Sequence, residues 1–428
     1  MYVVQAGARP RKVNLANIGY IQVVRHCNHF CGFCSNPTTP YVHTFETMKE
    51  LVDDFVERDY FGIILTGGEP TLHPELPKIA GYARDNGLHV RMITNGHKLA
   101  DPDFARELAE GGVQHAHISV YSHKEDIEER LRGTPNTLQR AYQACENANR
   151  FGIDININCV INKLNADHLD ENIEYWIEHH PYIRHFVWNN LDPSMGRAEV
   201  NQDQYTPRLA DFEASLARAC KLLLDSGRTF RVEKVPLCYM TEFGWASTET
   251  RKIVKGEERI VHFLDDKQTV RQTDWGHLYA ESCNVCTLKE ICGGLFDIGG
   301  HYDPEEHSPV FVDRDAIVKQ IINDPGDPSY QFQSIDAWRD DFEKRLELQR
   351  LEALGMAHAA QHEHEATGRY DLDSQSSVGF VSEEGLRMFE KKRRVEGKRA
   401  NKLGVKMETD EVTRAGASSS ADEATPNA

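Results

Sequence analysis

Residues 21–34 read IQVVRHCNHFCGFC. The run Ile21–Val24 is short and mostly apolar, as a buried strand would be. Cys27, Cys31 and Cys34 follow at once in a C-x3-C-x2-C spacing, on the loop above the strand's C-terminal end. Three thiolates so close together can all face one small inorganic object. A zinc knuckle and reduced structural thiols are the alternatives. Structural zinc takes four ligands, usually as two separated pairs. Three clustered thiolates fit an iron–sulfur cube better, and leave one iron of the cube without a protein ligand. Phe30 and Phe33, between the ligands, would shield such a cluster from water.

Outward from this loop the chain repeats one pattern. Short apolar runs at Gly62–Thr66, His89–Thr94, His115–Val120, Asp154–Ile161 and His185–Trp188 alternate with stretches of helical spacing at Thr47–Arg58, Pro102–Glu110, Thr137–Arg150 and Leu169–His179. Asp101-Pro102 reads as an N-cap with proline at the first helical position. Strands alternating with helices imply parallel strands with right-handed crossovers. The fold class is therefore α/β, a partial (β/α)6 TIM-like barrel with its chemistry at the C-terminal ends of the strands. Beyond Pro207 the pattern changes: a helix at Arg208–Asp225, strand-like runs at Thr229–Met240 and Arg259–Phe263, and turn-rich segments between them. The resulting division is a barrel over 13–205, a small α+β unit over 206–315, a helical extension over 316–366 and a disordered tail over 367–428. In that tail Lys391–Lys402 carries seven Lys/Arg and one Glu. A solvated tail is the reading preferred over an anion-binding one.

The composition narrows the class further. The chain has 428 residues, 40% of them hydrophobic, ten Cys and a net charge of −18. That is too long and too poor in Cys for a disulfide-stapled miniprotein, and too acidic for a nucleic-acid coat. The N-terminus lacks the apolar core of a signal peptide, and no apolar stretch is long enough to span a membrane. The expectation is a cytoplasmic enzyme with neither nucleic acid nor membrane as partner.

The cysteine loop resembles that of the radical S-adenosylmethionine (radical SAM) superfamily, and further motifs fall at the ends of successive strands. Gly67-Gly68-Glu69-Pro70 resembles the family's GGEP, Thr94-Asn95-Gly96 its TNG, Arg132-Gly133 its RG turn and Met195-Gly196-Arg197-Ala198 its GRA segment. The resemblance covers roughly residues 15–205. It implies a [4Fe–4S] cluster on Cys27, Cys31 and Cys34, with SAM held by Gly67, Gly68 and Glu69, by Asn95 and Asn158, and with further contacts from Thr94, Ser119 and Lys163. Gly67 and Gly68 would let backbone approach a ligand closely. Asn158 can donate and accept. With Asn156 and Val160 it shares one strand face, and Cys159 takes the other. The implied reaction is reductive cleavage of SAM to methionine and a 5′-deoxyadenosyl radical, which removes hydrogen from a substrate. The electron would come from an external flavodoxin- or ferredoxin-type reductant.

Cys283, Cys286 and Cys292 form C-x2-C-x5-C, and Cys238 precedes them. Zn(Cys)4 is one reading of the four, and a buried core thiol at Cys238 another. The spacing resembles the SPASM/Twitch auxiliary region, although it lacks that pattern's seven Cys and Phe296 stands where a further Cys would fall. The resemblance implies one second [4Fe–4S] cluster relaying electrons. Cys145, Cys159 and Cys220 read as core. The substrate would be a peptide or a small molecule, and Cys27 comes early for a leader-binding domain. Tyr121, Asn189, Asn190 and Asp192 are candidates to face it. A redox-neutral rearrangement with a structural second metal is the alternative function, and a non-enzymatic iron–sulfur scaffold a less favoured one.

Overall fold

The computed structural model describes residues 17–36, 39–264, 269–324, 332, 334–353 and 383–407. Its centre is one sheet. Strands β1 (Ile18–Val24), β2 (Gly62–Gly67), β3 (His89–Thr94), β4 (His115–Ser119), β5 (Asp154–Ile161), β6 (His185–Asn190), β7 (Thr229–Glu233) and β8 (Arg259–His262) are parallel, and β9 (Thr269–Gln272) is antiparallel to β8. Their order is β7-β6-β5-β4-β3-β2-β1-β8-β9. The first six strands and their crossovers are those expected from the sequence. The structure adds β7 at one edge and β8 with β9 at the other, so strands expected in an appended unit extend the barrel sheet itself.

Helices α1 (Phe45–Glu57), α2 (Leu76–Asp85), α3 (Pro102–Gly111), α4 (Glu125–Arg132), α5 (Thr137–Arg150), α6 (Leu169–His179), α7 (Gly196–Val200), α8 (Gln202–Tyr205) and α9 (Leu209–Asp225) follow the strands. Each starts and stops for local reasons. Asp101 caps α3 by accepting from the amides of Asp103 and Phe104, Pro102 opens its first turn, and Gly112 ends it at φ 118°. On α1 the stripe Met48, Leu51, Val52 and Phe55 is buried against the sheet. The outer sheet face supplies Ile21, Val23, Ile63, Leu65, Val90 and Met92, all fully buried. This side is the core, and its burial drives the fold at roughly 25 cal/mol per Å² of apolar surface.

The inner face is unlike the outer one. Parallel strands are usually apolar on both faces, yet Arg91, His115, His117, Asn156, Asn158 and Arg231 line an interior cavity of about 860 Å³.

The second half holds α10 (Thr248–Lys255), α11 (Arg314–Ile322) and α12 (Ile335–Ala353). Trp338 on α12 is buried and its indole N–H donates to the Val254 carbonyl at 2.8 Å, which docks α12 on α10. Cys238, expected at the end of a strand, sits instead on a single turn at Leu237–Tyr239, because β7 stops at Glu233 and Pro236 follows. Within the 367–428 segment the structure describes residues 383–407. There α13 (Glu383–Leu403) forms, and Ala400 and Val405 are buried beside Phe30 and Phe33. Residues 354–382 and 408–428 lie outside the described residues.

Candidate functional site

The cysteine loop leaves β1 at the barrel mouth and is held by its backbone from three sides. From β2, the amide of Gly68 donates to Val24 O at 2.7 Å and that of Glu69 to His26 O at 2.9 Å. A Cβ on Gly68 would stand 2.1 Å from His26 O, and one on Gly67, at φ 137°, 2.0 Å from Val24 O. The cysteine loop by itself thus requires glycine at both positions. From α4, Arg132 O accepts from Phe30 N at 2.9 Å. From α7, Arg197 donates its amide to Cys34 O at 2.9 Å and its Nε to Cys31 O at 2.8 Å, with its guanidinium over the Phe30 ring.

Arg132 is the hub of this clamp. Its side chain is fully buried and ion-paired with the equally buried Glu128. It also donates to Ser119 O and to Asn95 O, and its Nη1 faces His29 Nδ1 at 3.1 Å. Arginine only donates, so His29 Nδ1 accepts, and the ring proton on Nε2 points to His97 Nδ1 at 3.2 Å. Burial and the Arg132 charge push the His29 pKa down to about 2, so the ring is neutral. Glu128 also accepts from the amides of Tyr121 and Ser122. Glu128, His29 and the side-chain roles of Arg132 and Arg197 escaped the sequence reading; the Glu128–Arg132 spacing of one helical turn was the available signal.

Glu69 is buried, and its carboxylate accepts from Thr71 N, Thr71 Oγ1, Thr94 Oγ1 and Asn95 N at 2.6–3.1 Å. Burial raises its pKa, against these four hydrogen bonds. The group expected to meet SAM is therefore also a strut between the β2 and β3 ends. Asn95 extends the strut, its amide donating to Asn28 Oδ1 at 2.7 Å and reaching Cys27 Sγ at 3.6 Å. Ser119 ends β4 opposite Asn158 of β5, and Asn158 Oδ1 accepts from Asn189 Nδ2 at 2.8 Å. Asn158 lines the cavity and Cys159 is buried on the other face, as the alternation required. Tyr121, Asn189, Asn190 and Asp192 line the cavity too, with Cys31 and Cys34. Lys163 does not: it is exposed and its ammonium donates to Asp203 O at 3.2 Å.

The second cysteine group converges from two segments. Cys238 and Cys292 each lie within electrostatic reach of Cys283, and Cys292 of Cys286 as well. Backbone amides point at the sulfurs: Leu237 N and Gly294 N at Cys292 Sγ, and Val310 N at Cys286 Sγ, each at 3.4 Å. Amide donors suit anionic sulfur, although among the described residues no three or more Cys, His, Asp or Glu side chains are gathered closely enough to hold a metal ion as they stand. Burial pushes the thiols of Cys238 and Cys292 up to about 12 and about 11. Cys145, Cys159 and Cys220 are buried core thiols.

Residues 21–175 match the Radical SAM superfamily. An AdoMet-dependent heme synthase of Methanosarcina barkeri is 28% identical over 194 residues, 44% of this chain and 54% of its own length. A PqqA peptide cyclase of Bradyrhizobium diazoefficiens is 24% identical over 162 residues, 37% of this chain and 42% of its own. The chain thus spans about half the length of these relatives. Among solved structures, Streptococcus suis SuiB bound to S-adenosylmethionine superposes with a TM-score of 0.51 at 16% identity, over 66% of this chain and 73% of that one. It shares the fold. The cysteine loop clamped by the GGEP, RG and GRA segments, the parallel barrel sheet and these matches together assign residues 21–175 to the radical SAM superfamily.

Proposed function

We propose that this chain is a radical SAM enzyme that acts on a peptide or small-molecule substrate held in the barrel cavity. The observation that carries the reading is the cysteine loop: Cys31 and Cys34 open on the cavity while their carbonyls are fixed by Arg197. With a [4Fe–4S] cluster on Cys27, Cys31 and Cys34 and SAM bound, the cofactors supply reductive cleavage to methionine and a 5′-deoxyadenosyl radical. The rest falls to the chain. Glu69, Thr94 and Asn95 hold the β2 and β3 ends in register around the SAM position, with the lone pair of Glu69 Oε2 that Asn95 N leaves open the natural acceptor for an ammonium. Asn158 and Ser119 offer polar edges from β5 and β4. Phe33 and Tyr121, packed edge to face at 4.9 Å, exclude water beside Cys31. We read residues 13–205 as the SAM-binding unit. Cys238, Cys283, Cys286 and Cys292 would hold a second cluster that relays electrons, in a unit spanning 206–315. Relatives named as a heme synthase and a peptide cyclase support both substrate classes. An external flavodoxin- or ferredoxin-type protein would supply electrons. Among the described residues no helix is long and apolar enough to cross a membrane.

Anaerobic reconstitution tests this. About eight irons per chain are expected, and SAM should shift the electron paramagnetic resonance spectrum of one reduced cluster. About four irons with one zinc would overturn the second cluster, and a spectrum indifferent to SAM would overturn the first.

A further inference from the structure

The cations lining the barrel cavity fall into two groups. Four have carboxylate partners: Lys255 with Glu257 at 3.1 Å, Arg251 and Arg231 with Asp324 at 3.0 and 3.4 Å, and Lys234 with Asp192 at 4.0 Å. Arg91, Arg259 and Lys252 make no ion pair among the described residues. The Nε atoms of Arg91 and Arg259 are buried without any hydrogen-bond partner. Charged side chains are rarely buried unless paired.

Sheet register puts these groups on one wall. Arg91 stands beside Ile64, Ile64 beside Tyr20, and Tyr20 beside Val261, with Arg259 one step lower on the same face of β8. The guanidinium of Arg259 stacks between the rings of Tyr20 at 5.0 Å and Trp275 at 4.9 Å, and Lys252 lies over Trp275 at 4.1 Å. Stacking occupies the faces of the Arg259 guanidinium and leaves its donor edge for a planar anion. Burial, then the Arg259 charge, lower the pKa of Lys252 to about 8, against the opposing pull of Glu257, Glu233 and Glu249. Arg91 lies three residues before Thr94, about 10 Å of strand below the turn that meets Glu69. The wall is thus separate from the SAM end. Asp154, Glu233 and Glu257 also line the cavity, and Glu249 lies within electrostatic reach of Arg259 and Lys252, which favours a monoanion over a phosphate dianion.

We propose that Arg91, Arg259 and Lys252, with the Tyr20 hydroxyl, form an anion site in the barrel floor that binds a carboxylate of the substrate and so orients the substrate beneath SAM. The proposal rests on the radical SAM reading and adds the substrate class: a carboxylic acid, free or as an acidic side chain of a peptide.

The test is calorimetric binding to the cluster-loaded, full-length chain under anaerobic conditions. The probes are glutarate against glutaramide, acetyl-Gly-Glu-Gly-amide against its Gln counterpart, and inorganic phosphate. At least one carboxylate should bind more tightly than its amide by about tenfold or more. Arg91→Gln and Arg259→Gln should each weaken that binding about tenfold, and Arg259→Lys less. The better of the free acid and the peptide identifies the source. No carboxylate binding, equal binding of the amides, tighter binding of phosphate, or binding untouched in the double variant overturns the proposal. If the variants lose iron, the carboxylate–amide comparison in the wild-type chain decides alone. 5′-Deoxyadenosine formation by the wild-type chain without any probe reports the underlying reading separately.

Discussion

Glu128 and Arg132 form a buried ion pair one helical turn apart, and each also serves groups of the cluster end: the amides of Tyr121 and Ser122, and His29. Removing one partner of a buried pair leaves an uncompensated charge, at a cost of about 3–5 kcal/mol. Glu128→Ala is therefore expected to lower stability by that order in chemical denaturation and to reduce retained iron. A variant as stable as the wild type would sink the hub role. A second residue carries a pH signature. Burial, then the neighbouring Glu233 charge, raise the pKa of Glu249 from 4.5 to about 7. The folded chain keeps a proton that the unfolded chain releases. Its contribution is complete below pH about 4.5 and lost as pH rises through about 7. The stability of the wild type relative to Glu249→Gln should fall across that window in denaturation measured at several pH values; a flat or rising difference contradicts the assignment. Sequence made the thiols and the GGEP turn legible because their spacing is local. It hid the partners of Arg132, because a buried ion pair and an ordinary surface pair have the same helical spacing.

At the scale of elements, six strands and their helices could be read from periodicity, and α3 could be read from its cap, since Asp101 and Pro102 act within one turn. What could not be read is which sheet a strand joins. β7 pairs with β6 and β8 with β1 across long stretches of chain, and nothing within Thr229–Glu233 or Arg259–His262 names its neighbour. The composition of the 383–407 segment, basic and poor in apolar residues, does not reveal where it sits. Three of its few apolar groups, Ala400, Leu403 and Val405, nevertheless fall where they pack on the Phe30 and Phe33 cluster. Asn201 then pins Lys406 through two hydrogen bonds, at 2.7 and 3.0 Å. This contact covers the back of the cysteine loop. Val405→Asp would bury an unpaired charge there. The variant is expected to expose the segment to limited proteolysis and to lose iron in air faster than the wild type. Unchanged protection would mean that the segment does not shield the loop.

Across the whole molecule, an apolar outer sheet face fixes the barrel and leaves the inner face free to be polar. His115 and His117 alternate with buried Ala116 and Ile118, a pattern visible in the sequence that could have revealed the polar lumen. The cysteine loop stands at one end of that lumen, and Arg91, Arg259 and Lys252, which make no ion pair among the described residues, stand at the other. Asn190, at the end of β6, donates to the Tyr302 hydroxyl at 3.2 Å and ties the barrel mouth to the segment carrying the second cysteine group. We propose above all that the clamped loop makes SAM a radical source. This is tested most directly by incubating the reduced, cluster-loaded chain with SAM and separating the products by liquid chromatography. The expected outcome is 5′-deoxyadenosine and methionine in equal amounts, and neither above background from Cys31→Ala. No 5′-deoxyadenosine from the iron-loaded wild type, or the same amount from Cys31→Ala, would contradict it.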